Sequence, residues 1–182
     1  MQAATQLFAE NTSYNSRLCK SKTTRRGKVM GYKLTPDSVI EQLEAKGLTI
    51  ARRTLLRWER ADLIPKAKRG SYGQGGGKWA DYPRDTMPEA LTAQLLKDVF
   101  RMPNAEIAQA RADYAVQNYN WRSVRWYDFR RAFAEGYNYP DVKAAAQTAY
   151  DDGLFPLLIG QQFYDWMIGE ITKKGIQKRH AE

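Results

Sequence analysis

Thiols and imidazoles are almost missing from this chain: Cys19 is its one cysteine and His180 its one histidine. A single thiol closes no disulfide within a chain and builds no multi-thiolate metal site. A single imidazole near the C-terminal end leaves nucleophile–base pairs and His/Cys metal sites without residues to draw on. No apolar run approaches the length of a membrane-spanning helix. The start, Met1-Gln-Ala-Ala-Thr-Gln, has no basic region leading into an apolar core, so it does not read as a secretory signal. No heptad pattern persists for three heptads, which excludes a long coiled coil, and no internal repeat is present. These absences predict a cytoplasmic protein that is not an enzyme and carries no cofactor or metal.

What is present is positive charge, unevenly placed. Residues 1–101 hold 19 Lys/Arg against 10 Asp/Glu, whereas residues 102–182 hold 10 of each, so the whole net charge of +9 lies in the first part. Such asymmetry points to one part that meets a polyanion and another with a different task. The basic part lacks the sustained apolar face needed to lie on a membrane, which leaves nucleic acid as the expected partner.

The chain divides at composition shifts. Residues 1–30 are polar and end in a basic run, Lys20, Lys22, Arg25, Arg26 and Lys28, which predicts a disordered arm. Such an arm can follow phosphates or a minor groove, or remain a solvated tail. Met30, where the arm ends, is also a candidate natural start, which an intact mass of the native protein decides. Thr35-Pro36-Asp37 then supplies a hydroxyl cap, a proline at the first helical position and an acid at the positive end of the dipole. A helix is predicted from there to Gly47, with Val39, Ile40 and Leu43 as its apolar stripe. Thr49 is the expected cap of a second helix reaching about Ala61, and Pro65 ends the segment.

Within that second helix, Ala51, Leu55, Trp58 and Asp62 share one narrow sector at about 100° per residue, and Arg53, Arg57 and Arg60 lie opposite. An apolar root with guanidiniums facing away, preceded by another short helix, is the helix-turn-helix pattern, whose second helix enters a DNA major groove. Residues 66–83 read as a hairpin with basic limbs, a Gly73–Gly77 tip, and Tyr72, Trp79 and Tyr82 as anchors. Thr86-x-x-Glu89 reads as a capping box opening a third helix with Leu91, Leu95 and Val99, closed by Pro103. Further helices are expected near 104–118, 121–135, 140–151 and 156–174. The last carries the stripe Ile159, Phe163, Trp166, Met167 and Ile171, expected in the core or at an oligomer contact.

Residues 54–65, Thr-Leu-Leu-Arg-Trp-Glu-Arg-Ala-Asp-Leu-Ile-Pro, resemble the second helix and turn of the mercury-resistance-regulator (MerR) superfamily. Arg53, Thr54, Leu55, Trp58, Glu59, Leu63, Ile64 and Pro65 match that pattern. Residues 32–35, Tyr-Lys-Leu-Thr, resemble the family's lead-in strand and cap, and Tyr82-Pro83-Arg84-Asp85 its link from wing to third helix. The resemblance covers about residues 31–101 and implies a winged helix-turn-helix with its wing on the DNA backbone. Asp62 stands where the family has glycine, Ala80 and Asp81 stand where it has an arginine before the tyrosine, and the wing is longer. The family's dimerising helix and effector domain are not visible, so only the DNA-binding module carries over.

Other chemistry fits poorly. The glycine-rich stretch is not a phosphate loop, because Tyr72 occupies the first glycine position, Trp79 replaces the metal-binding hydroxyl, and no apolar strand precedes it. Asp151-Asp152 reads as a solvated helix end. Residues 121–131 interleave aromatics with arginines, which suits either a stacking surface or a core face of Val124, Phe129 and Phe133 with solvated arginines. The nearby acids favour the second.

The expected protein is therefore mainly α: a disordered arm (1–30), a winged helix-turn-helix with a β-hairpin wing (31–101) and a helical C-terminal unit (102–182) for oligomerisation or partner contact. The expected function is sequence-specific double-stranded DNA binding by a bacterial or phage transcription regulator. Arg52, Arg53 and Arg57 are the candidates for the major groove, and Arg60, Lys68, Arg69 and Lys78 for the backbone. A homo-oligomer and contact with the transcription machinery are the further partners considered. A DNA-bending recombination accessory factor and a protein-interaction adaptor with a basic helix are the alternatives.

Overall fold

A computed structural model of the chain describes residues 33–73 and 77–181, with side chains as far as Gly175. The expected basic arm with Cys19, Tyr32 of the lead-in, the hairpin tip at 74–76 and the side chain of His180 lie outside the described residues.

Among the described residues, seven helices and one two-stranded hairpin follow in the order α1 Pro36–Ala45, α2 Arg52–Arg60, β1 Lys68–Ser71, β2 Lys78–Asp81, α3 Thr86–Phe100, α4 Asn104–Ala115, α5 Trp121–Ala134, α6 Tyr139–Asp151 and α7 Gln161–Ala181. The mainly helical class with a small antiparallel hairpin is as expected. At α1 the local signals act as read: the Thr35 hydroxyl accepts from the Ser38 N–H, and Pro36 opens the helix. Just past its C-cap Lys46 the chain turns at Gly47, whose φ of +84° favours a residue without Cβ. That turn touches the later helices, because a Cβ at Gly47 would lie 2.8 Å from Pro140 Cδ. The Tyr139 N–H also donates to the Lys46 carbonyl at 2.8 Å.

Two expected caps differ. Ala51, not Thr49, is the N-cap of α2 and offers no side-chain hydrogen bond. Thr86 is the first residue of α3 rather than its cap, which is Asp85. The capping box does not form because Glu89 is buried and drawn into tertiary ion pairs with Arg111 at 2.6 Å and Arg130 at 3.6 Å. Burial pushes its carboxyl above the usual range despite those arginines.

α3 is the spine of the fold: Leu91, Leu95 and Val99 are buried as predicted, with Ala90, Ala93 and Leu96 beside them. Helices α1, α4, α5 and α6 all pack against it. One apolar cluster runs from Val39, Leu43 and Leu55 through Leu95 to Phe129, Phe133, Phe163 and Met167. The last helix begins at Gln161, later than the 156 expected, after a turn closed by Gly160 with φ +58°. Ile159 therefore leaves the apolar stripe and stands 60% exposed, while Phe163 and Met167 keep the core role. Among the described residues no helix is long and apolar enough to cross a membrane.

Candidate nucleic-acid interface

Helix α2 is rooted by Leu55 and Trp58, both almost completely buried, as the wheel predicts. Its basic residues point the other way: Arg52, Arg53, Arg57 and Arg60 are all exposed. Among the described residues only Arg52 of these meets an acid, Asp37 at 3.5 Å, and that pair is 60% and 68% exposed, where ion pairs are weak. Arg53, Arg57 and Arg60 make no ion pair among the described residues. Three uncompensated guanidiniums on one short helical face leave a positive stripe with its donors free.

The turn after α2 is tight. Asp62 adopts φ +55°, a left-handed geometry that Asp tolerates better than most residues with a Cβ. The Leu63 N–H closes the turn on the Trp58 carbonyl at 3.0 Å, and the Asp62 carboxylate pairs with Lys66 at 3.1 Å.

Sequence reasoning missed the group that joins α2 to the hairpin. Glu59, with its side chain 6% exposed, accepts from the Ala67 N–H at 3.0 Å, the Tyr82 hydroxyl at 2.9 Å and the Arg69 guanidinium at 2.5 Å. Burial alone would raise its carboxyl. The hydrogen bonds from Arg69, Ala67 and Tyr82 outweigh that and hold it below its ordinary value. Burial, together with the donated bond to Glu59, pushes the Tyr82 hydroxyl up to about 12. A single acid beside the apolar root of an otherwise basic helix was the available signal. Arg69, expected on the DNA backbone, is thus held by Glu59 and ties β1 to α2.

The hairpin is antiparallel, with Arg69 opposite Ala80 and Gly70 opposite Trp79. The Trp79 ring lies on Gly70, where a Cβ would come within 2.5 Å of it. Tyr82 is buried and Trp79 half-buried, but Tyr72 is 67% exposed and anchors little. The Lys33 ammonium sits over both rings, 4.2 Å from the Trp79 centroid and 5.3 Å from that of Tyr72. Asp81 accepts from the Leu34 N–H at 2.8 Å, and the Tyr82 N–H donates to the Leu34 carbonyl at 2.8 Å. The lead-in is thus pinned to the hairpin by hydrogen bonds without forming a strand. Lys68 and Lys78, at the two ends of the paired register, are exposed and make no ion pair among the described residues.

The aromatic–arginine stretch of α5 has a different fate. Phe129 and Phe133 are fully buried, and Val124 is half-buried. Arg125, expected on a solvated face, is instead buried and faces Asp128 at 3.4 Å. Burial pushes the Asp128 carboxyl up to about 7, against the pull of Arg125. Among the described residues no cluster of three or more His, Cys, Asp or Glu side chains is placed to hold a metal ion. Comparisons with protein-family models, with curated proteins and with solved structures return no match.

Proposed function

We propose that residues 33–101 form a winged helix-turn-helix and that the protein is a sequence-specific double-stranded DNA-binding transcription regulator of bacterial or phage type, working in the cytoplasm. One observation carries this reading: an exposed, uncompensated guanidinium row on α2 stands beside a basic hairpin that Glu59 fixes to the same helix. A B-form major groove is about 12 Å wide and admits one α-helix. In it, Arg52, Arg53 and Arg57 reach base edges, where arginine pairs with guanine O6 and N7. Arg60, Lys68 and Lys78 take phosphates, and Arg69 acts by holding the hairpin in place. Leu55 and Trp58 seat the helix and touch no DNA. Helices α4–α7 supply the surface for self-association or for the transcription machinery.

The test is selection from a random duplex library followed by binding to the enriched site and to its scrambled version. A regulator prefers the enriched site by about a thousandfold or more. Enrichment of no motif, with equal affinity for every duplex, contradicts the reading.

A further inference from the structure

Where the end of α3 meets the start of α5 and the α6–α7 turn, a cavity of about 700 Å³ opens to the surface. Phe100, Trp121, Tyr150 and Phe155 line it. Phe100 packs on Phe155 with ring centroids 4.3 Å apart and meets Tyr150 edge-on at 5.6 Å. At the mouth, Trp121 and Ile159 are each 60% exposed. Large apolar side chains gathered round a concavity mark a binding surface more than chance exposure does.

The wall is held in place from inside. The buried Arg125 donates to the carbonyls of Phe155 and Leu158, and its guanidinium lies 4.7 Å from the Phe155 ring centroid and 4.0 Å from that of Phe163. The α6–α7 turn is thereby fixed across the cavity. Charge at the site is also unequal. Glu106 is matched by Arg122 at 3.3 Å, and Arg125 by Asp128 at 3.4 Å. Arg101, projecting from the left-handed C-cap of α3 at φ +54°, is exposed and makes no ion pair among the described residues.

We infer that this cavity binds a small aromatic acid. Its flat apolar body lies among Phe100, Trp121, Tyr150 and Phe155, and its anionic group meets Arg101. The volume falls within the range of about 300–1,000 Å³ typical of small-molecule sites, which pair an apolar lining with few polar groups. Arginine is the side chain suited to a planar anion. The site stands independently of the DNA-binding proposal.

Two probes that share a ring system test it on the full chain: 8-anilinonaphthalene-1-sulfonate and the uncharged N-phenyl-1-naphthylamine. Each is expected to saturate one site per chain, the sulfonate more tightly. Arg101→Gln weakens the sulfonate about tenfold, the loss of one charge-assisted contact, and the neutral probe less than about twofold. Ile159→Glu, at the rim, likewise weakens the anion more than the neutral probe. Both positions are exposed, so both variants keep the wild-type melting temperature, which a thermal scan checks. Absence of a saturable site, or binding that both variants leave unchanged, overturns the inference. So does a concentration-dependent dimer that Ile159→Glu dissolves, because a second copy then covers the cavity.

Discussion

Helices α2 and α5 carry four arginines each, interleaved with tryptophan, yet the fold treats them oppositely. In α2 three of the four make no ion pair among the described residues and the fourth meets an acid only in solvent. In α5 every arginine has a carboxylate: Arg122 with Glu106, Arg125 with Asp128, Arg130 with Asp85 and Glu89, and Arg131 with Glu135. Arginine density alone therefore says nothing about a polyanion. The deciding quantity is whether the fold places acids within reach. In α5 the arginines join elements of the fold, while in α2 they are left as donors facing outward.

The contrast is sharpest under mutation. Arg125→Met removes the partner of a buried carboxylate and the donor to two carbonyls. It should lower unfolding free energy by about 3–5 kcal/mol in chemical denaturation. Duplex affinity of the folded fraction should stay unchanged. Lost affinity at full stability would place α5 in the interface and erase the contrast.

Arg53→Ala should behave in the opposite way. Duplex binding weakens by about 1–3 kcal/mol with blurred specificity, while stability stays within about 0.5 kcal/mol. A large stability loss there would show that α2 uses its arginines as α5 does.

Glu59→Gln probes the one acid in α2 that does have partners. Stability should fall by about 1–3 kcal/mol as the buried donors lose their charged acceptor. The pH dependence has a definite sign. Because the folded-state value lies below the ordinary 4.5, the folded protein binds fewer protons than the unfolded chain in that window. The contribution of Glu59 is complete above that range and is lost as pH falls through the lowered value. Denaturation midpoints of Glu59→Gln against acid pH should accordingly be flatter than wild type, and equal acid slopes would remove Glu59 from the account.

The smallest effect is expected at the hairpin. Lys78→Ala should weaken all duplexes alike and reduce the salt slope by about 1. A base-specific change would move Lys78 from the backbone to a groove.

Local chemistry made much of this legible in the sequence. Thr35-Pro36-Asp37 opens α1 because its cap needs only neighbours, and Leu55 and Trp58 root α2 because a helical period is a local property. Glu59 was not legible, since its donors come from positions 67, 69 and 82, brought together only by the hairpin's return. Thr86 and Glu89 have the spacing of a cap, but partners on α4 and α5 take the glutamate. Ile159 fits the period of α7, yet Gly160 and the grip of Arg125 on the preceding turn set the boundary. Each miss lies where a contact distant in sequence overrides a local pattern.

Salt dependence of duplex binding by the full chain tests most directly whether the α2 face and the hairpin form an uncompensated cationic surface for a polyanion. Arg60, Lys68 and Lys78 on phosphates, with Arg52, Arg53 and Arg57 in the groove between them, together offset the charge of about six phosphates and predict a plot of log K against log salt with a slope near −5. A slope near zero would contradict the claim.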